Sequence, residues 1–134
     1  MPILPIYAAL LVLLFVALSV RTLRVRRRLK IAIGDAGDMR MLRAMRVHSN
    51  FAEYVPLALL MIYLVEAGGA PAAVVHALGI GLLAGRLSHA FGVSREREQL
   101  QYRVVGMALT FTVLLVAAAY LLVAAIDPGL AAQA

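Results

Sequence analysis

The chain of 134 residues is 63% hydrophobic, has no cysteine and carries a formal net charge of +6. A soluble domain of this size could not cover that much apolar surface, and the lack of cysteine excludes disulfides, iron–sulfur ligation and a cysteine nucleophile. All 13 lysines and arginines lie in two windows, residues 21–46 and 86–103. No soluble domain presents them to nucleic acid, so we expect anionic lipid headgroups and an anionic small ligand as partners instead.

Four apolar stretches predict membrane-spanning helices. A bilayer core about 30 Å thick takes about 20 mostly apolar residues per helix. Lysine and arginine collect in cytoplasmic loops, and four crossings put both basic windows on one side. The sequence therefore predicts an all-α integral membrane protein, a single four-helix bundle over residues 1–134 with both termini facing away from the cytoplasm. Its spans are residues 3–20, 47–65, 72–90 and 104–126.

The first span is expected to be retained as a helix rather than cleaved as a signal, because its positive cluster follows the apolar run instead of preceding it. After that cluster, Gly34, Asp35, Gly37 and Asp38 form a short polar segment. These residue types favour turns and helix starts. We expect a loop here and the start of the second helix at about Asp38, before the membrane.

The second span carries a polar stripe. Its members, three, four and three residues apart, share one helical face: Arg43, Arg46, Asn50 and Glu53. Such side chains are unfavourable against lipid and normally face the bundle interior or a water-filled cavity. A buried Arg–Glu pair that holds helices together would be a purely structural explanation, but the stripe has more polar groups than that role requires.

The third span predicts close helix packing, since Ala77, Gly81 and Gly85 recur every four residues and small side chains let another helix approach. At its end Arg86 and His89 share a face. Alternatively, Arg86 could be an interfacial residue whose side chain extends to the lipid headgroups. Arg103, at the start of the fourth span, could likewise be an ordinary membrane anchor.

These polar groups fall at one depth, together with the run Arg26–Arg28, and predict a cationic pocket containing one acid, Glu53. Arginine binds carboxylate in a two-pronged geometry, and Glu53 could accept from an ammonium group. A zwitterionic peptide fits better than a nucleotide, since no phosphate-binding glycine loop is present. The three histidines lie on separate faces or ends, so we expect no metal site. Without a serine or cysteine nucleophile, any catalysis would activate a reactive group of the ligand electrostatically.

Two motifs resemble a known family. The pattern Arg46-x-His48-x-Asn50-x-x-Glu53-Tyr54-x-Pro56 resembles the second-helix signature of the MAPEG family, the membrane-associated proteins in eicosanoid and glutathione metabolism. Gly85-Arg86-Leu87-x-His89 resembles its third-helix signature. Four segments, residues 32–37, 66–70, 75–76 and 82–86, are similar to a bacterial inner-membrane branch of the family, the YecN-like proteins.

The resemblance implies a four-helix protomer in a homotrimer of the inner membrane, with periplasmic termini and glutathione held between neighbouring subunits near the cytoplasmic face. It implies that Arg103 stabilises the glutathione thiolate. A family tyrosine is replaced by Val93, so contacts to glutathione are expected to be fewer. The implied glutathione-binding residues are Arg26 or Arg27 (with Arg28 as a further choice for that position), Arg46, Asn50, Glu53, Tyr54, Arg86 and His89.

The leading hypothesis is a glutathione-dependent membrane transferase or peroxidase that acts on a lipophilic electrophile or hydroperoxide. One alternative is a membrane protein that binds glutathione without catalysis. Another is a small proton-coupled multidrug transporter with Glu53 as the coupling carboxylate. Known transporters of that size keep this carboxylate in the first span, and residues 3–20 contain no acid.

Overall fold

The computed structural model describes residues 1–94 and 99–126. Four α-helices follow one another, α1 (Leu4–Leu29), α2 (Met39–Ala67), α3 (Ala72–Ser94) and α4 (Leu100–Ile126). Each is long and apolar enough to cross a membrane. Over the described ranges helices are the only regular elements, which confirms the predicted all-α architecture with four spans.

The helices extend beyond the apolar stretches that predict them. α1 continues through its arginines to Leu29, and α2 begins at Met39, about two turns before the apolar stretch that starts at residue 47. Arginine is a good helix former, so the backbone stays helical where the side chains become too polar for lipid. The charged turn at residues 95–98 lies outside the described residues.

The loop between α1 and α2 has the predicted turn. Gly34 and Gly37 have φ angles of 69° and 74°, in the left-handed region that suits glycine. Asp38 then caps α2, because its carboxylate accepts from the backbone N–H groups of Arg40 (2.8 Å) and Met41 (3.3 Å). The Arg40 side chain, hydrogen bonded to the same carboxylate, lowers the pKa of Asp38 from 3.8 to about 2. The helix start predicted at about Asp38 is confirmed.

α2 is the central helix of the bundle. It packs against each of the other three helices, whereas α1 and α4 both contact α3 and, among the described residues, do not contact each other. The buried face of α2 recurs every three or four residues, as expected of a helix with one core side. Along the apolar span this face consists of Val47, Phe51, Val55, Ala58, Ile62 and Val65.

Polar contacts join α1 to α2. The His48 ring stacks on Phe15, with centroids 4.8 Å apart, and its Nε2 lies 3.0 Å from the Ser19 hydroxyl. The Thr22 hydroxyl shares its single proton between the carbonyl oxygens of Leu18 (3.0 Å) and Ala44 (3.2 Å). Hydroxyl and imidazole groups that hydrogen bond between helices are common in membrane bundles, where the lipid offers no partner.

α3 and α4 cross closely at two glycines. A Cβ placed on Gly106 would lie 2.6 Å from both the Gly85 carbonyl oxygen and the His89 backbone nitrogen. A Cβ on Gly81 would lie 3.0 Å from Val113. The predicted packing role of the small residues is therefore confirmed for Gly81 and Gly85, while Ala77 is exposed.

At the end of the bundle opposite the arginines, Glu66 from the last turn of α2 caps α1. Its carboxylate accepts from the backbone N–H groups of Ile3 and Leu4. The next residue, Pro5, has no N–H to satisfy. Two of the orphan donors at the start of α1 are thus paired by a side chain from another helix.

Candidate functional site

A cavity of about 390 Å³ opens at the arginine-rich end of the bundle. It lies among the first half of α2, the end of α3 and the start of α4. Met39, Leu42 and Val93 supply its apolar lining. The polar lining residues are Arg43, Arg46, Ser49, Asn50, Glu53, His89 and Arg103.

The polar stripe of α2 forms one wall of this cavity. Arg46 and Glu53 are exposed in the protomer and Asn50 is half-buried. The stripe lies beside the face of α2 that packs in the core, since Val47 and Phe51 occupy that face. Of the two environments expected for these side chains, the bundle interior and a water-filled cavity, the structure shows a cavity, and it is open at the protomer surface.

Arg86 lies behind this wall. Its side chain is 1% exposed, and its Nη1 donates to Oδ1 of Asn50 at 2.8 Å. Nη2 approaches the Gly106 carbonyl oxygen at 3.5 Å and the Met107 sulfur at 3.6 Å. Nε has no hydrogen-bond partner among the described residues. The arginine thus reaches the cavity only through Asn50.

The other walls come from α3 and α4. His89 and Val93 are both 5% exposed. Arg103 is exposed at the start of α4 and lines the same cavity. The fold therefore brings together five of the predicted site residues from three helices: Arg46, Asn50, Glu53, His89 and Arg103.

Within one protomer, three predicted site residues besides Arg86 do not line this cavity. Arg26 donates from Nη1 to backbone carbonyls of the following loop, including Ala32 and Gly34, both at 3.2 Å. Arg27 is exposed, and Tyr54 packs edge-on against Phe111 with ring centroids 5.5 Å apart. The arginines of α1 were expected to share the pocket, but Arg26 instead satisfies carbonyls left unpaired after the helix ends.

Sequence reasoning missed Ser49 as a lining residue. Ser49 lies three residues after Arg46 and four before Glu53, so helical spacing puts it on their face. Arg43 was placed in the stripe without an assigned role, and it also lines the cavity. The signal for both residues was in the sequence spacing.

The described residues contain no group of three histidine, aspartate or glutamate side chains close enough to hold a metal ion. Two of the histidines have partners elsewhere in the bundle. His48 contacts Ser19, and Nδ1 of His76 lies 2.7 Å from the Tyr7 hydroxyl near the opposite end.

Comparison with known proteins identifies the family of the chain. The model of the MAPEG family matches residues 4–123. The chain is 37% identical over 110 residues to the inner membrane protein YecN of Escherichia coli K12, covering 82% of each chain, and the same values hold for YecN of E. coli O6:H1. That name states a location and no activity. Together with the four spans it supports an integral inner membrane protein. The chain belongs to the MAPEG family, which includes glutathione transferases and peroxidases.

Proposed function

We propose that this protein is a glutathione-dependent membrane transferase or peroxidase acting on lipophilic electrophiles or hydroperoxides. One observation carries the proposal: a single cavity collects the guanidinium groups of Arg43, Arg46 and Arg103 together with the Asn50 amide and one carboxylate, Glu53. Glutathione has two carboxylates and one ammonium group, which match several arginines and one acid. Family membership supports the same ligand.

Arg103 is the proposed catalytic residue. A thiol with a pKa of about 8.5 is only a few per cent ionised at neutral pH. A guanidinium group beside the sulfur favours the thiolate, and each pKa unit gained corresponds to about 1.4 kcal/mol. Arginine stays protonated and cannot act as the base, so the thiol proton leaves to water. The thiolate then attacks the electrophile, forming a bond from sulfur as the leaving group departs with the bonding electrons.

The second substrate enters from the lipid. Met39, Leu42 and Val93 form an apolar part of the cavity beside the charged wall. A hydrophobic molecule dissolved in the bilayer can lie against these side chains while its reactive group faces the thiolate. These apolar side chains select a substrate by its shape and not by its reactive group. One site can therefore serve both the transferase and the peroxidase activity.

We propose a homotrimer in which neighbouring subunits complete the site. Arg46, Glu53 and Arg103 are exposed in the protomer, and charged groups that face lipid within a membrane are unfavourable. A second subunit over the cavity would remove this contact with lipid. An arginine at the end of the second subunit's α1 could then reach the ligand. Arg27 is exposed and therefore available for this contact.

The arginine-rich end is proposed to face the cytoplasm, with both termini in the periplasm. A phosphatase reporter that is active only in the periplasm should be active when fused after residue 134. The same reporter inserted between Gly34 and Gly37 should be inactive. The reverse pattern would invert the orientation and place the cavity on the periplasmic side.

The ultraviolet absorbance of the glutathione thiolate tests the function directly. Glutathione titrated into detergent-purified protein at neutral pH should give a saturable signal that Arg103→Ala loses, while calorimetry still detects binding to the variant. Binding without a thiolate signal in the wild type would support the non-catalytic alternative. No binding at all would refute the glutathione site. Glu53-dependent dye uptake into proteoliposomes would then become the assay of choice.

A further inference from the structure

Arg86 takes no part in the mechanism above, although it is the largest fully buried side chain among the described residues. Because its side chain is 1% exposed, a ligand in the cavity does not touch it. No ion pair to Arg86 is found within residues 1–94 and 99–126. A buried cation without a paired carboxylate is unfavourable for stability. Stability alone therefore does not explain why Arg86 is buried against Asn50.

The chemistry of the two groups fixes their orientation. A guanidinium group only donates hydrogen bonds, whereas a carboxamide has one accepting end and one donating end. The 2.8 Å contact from Nη1 of Arg86 therefore requires Oδ1 of Asn50 to face α3. Since Asn50 also lines the cavity, its N–H₂ group is left to face the ligand. The cation on the oxygen side also polarises the amide and strengthens its N–H donors.

We propose that Arg86 is a positioning residue that holds the Asn50 carboxamide with its N–H₂ group directed into the cavity. There the amide donates to a carboxylate or carbonyl oxygen of the ligand. Without Arg86 the amide could turn over and present its oxygen, which would repel the same group. The identity of the ligand rests on the proposed glutathione site, whereas the orientation of Asn50 does not.

Asn50 is the only asparagine in the sequence, so protein labelled with ¹⁵N-asparagine gives a single side-chain amide in an NMR spectrum. We expect the ligand-free wild type in nanodiscs to show one ordered amide pair. Arg86→Met should move this pair toward the shifts of a free asparagine and speed its exchange with water. Replacing a buried charge by an apolar side chain of similar volume is often neutral for stability. Arg86→Lys, which keeps a positively charged hydrogen-bond donor group, should restore part of the wild-type signal.

Thr110→Val is the matched control. Thr110 is fully buried and donates at 2.8 Å to the Gly106 carbonyl, the same oxygen that Nη2 of Arg86 approaches. The control removes a neighbouring buried hydrogen bond and leaves Asn50 untouched. In Thr110→Val the NMR signals of the Asn50 side-chain amide should keep their wild-type chemical shifts. An unchanged spectrum in Arg86→Met, or an equal change in Thr110→Val, would overturn the proposal.

A double-mutant cycle on glutathione affinity then separates positioning from direct action. Arg86→Met and Asn50→Leu should each weaken binding by about ten- to hundredfold, the usual effect of losing a hydrogen bond to a charged group, and the double variant should be no weaker. A further tenfold loss in the double variant would show that Arg86 acts on the ligand independently of Asn50, contrary to the proposal. If the wild type does not bind glutathione, the proposed function fails, and the amide spectrum still decides the orientation.

Discussion

His48 lies within the MAPEG signature of α2, yet its side chain faces away from the cavity. Arg46 and Asn50, two residues to either side, both line the cavity. His48 instead stacks on Phe15 and contacts the Ser19 hydroxyl of α1. Two residues correspond to about 200° around a helix. A single short signature thus specifies both a cavity wall and the packing of the first two helices.

Replacing His48 by Phe should therefore separate these two roles. The substitution keeps the ring stack on Phe15 and loses the hydrogen bond to Ser19, so stability should fall by about 1 kcal/mol. Glutathione affinity should stay within twofold of the wild type, in contrast to Asn50→Leu. Thermal unfolding and calorimetry measure the two effects. A large loss of affinity in His48→Phe at unchanged stability would move this residue into the binding site.

The limits of sequence reasoning are also visible in single residues. Helical spacing alone placed Arg46, Asn50 and Glu53 on one face, and the structure keeps them on one cavity wall. The spacing could not show that Arg86 lies behind Asn50, because that depends on how α2 and α3 rotate relative to each other. Nor could it show that Arg26 turns to the loop carbonyls, since several unpaired acceptors compete for one guanidinium group.

Among the helices, hydropathy located all four spans but not their true ends. Hydropathy measures how favourably side chains partition into lipid, whereas the end of a helix is set by its backbone hydrogen bonds. The turn residues before α2 supplied the missing signal, and Asp38 caps the helix where they predicted. Small residues likewise predicted a close α3 contact. They left open its partner, which is Gly106 of α4, because a repeat on one helix carries no information about the facing helix.

Gly106→Ala tests this crossing. At an unconstrained helical site the change would stabilise by up to about 1 kcal/mol through helix propensity. Here the new Cβ would lie 2.6 Å from backbone atoms of Gly85 and His89, which cannot move as a side chain can. We expect a net loss of about 1–3 kcal/mol in thermal unfolding, typical of overpacking. Glutathione affinity should also fall, since the shift moves His89 relative to Arg103.

Ala108→Val is the control for this prediction. Residue 108 is exposed on α4, so the added methyl groups meet lipid and should leave the unfolding temperature nearly unchanged. If Gly106→Ala proved as stable as Ala108→Val, the close approach of α3 and α4 would be refuted.

In the whole molecule, the cavity is open at the protomer surface, and under our proposal the site is completed only by a neighbouring subunit of the homotrimer. Mixed assemblies can show whether α1 serves the neighbouring site. One variant would carry Arg27→Ala and Arg28→Ala, both exposed positions, and the other would carry Arg103→Ala. Each should be inactive alone. Co-expressed, roughly one site in four should combine intact groups from two subunits by random pairing.

The activity of the mixed protein is the measurement, with equal expression of both chains checked by mass spectrometry. Recovery of about a quarter of wild-type turnover would place the α1 arginines in the neighbouring subunit's site. No recovery beyond the sum of the two separate variants would mean that α1 does not contribute across the subunit boundary. The cavity would then belong to a single chain.

The Glu66 cap also has a consequence for biogenesis. The first turn of α1 is synthesised well before the residue that satisfies its backbone N–H groups, because Glu66 lies at the end of α2. Until Glu66 is in place, these N–H groups have only water or lipid headgroups as partners. The start of α1 is therefore complete only once α2 has crossed the bilayer, and the first two helices should integrate as a pair, in the manner of a helical hairpin.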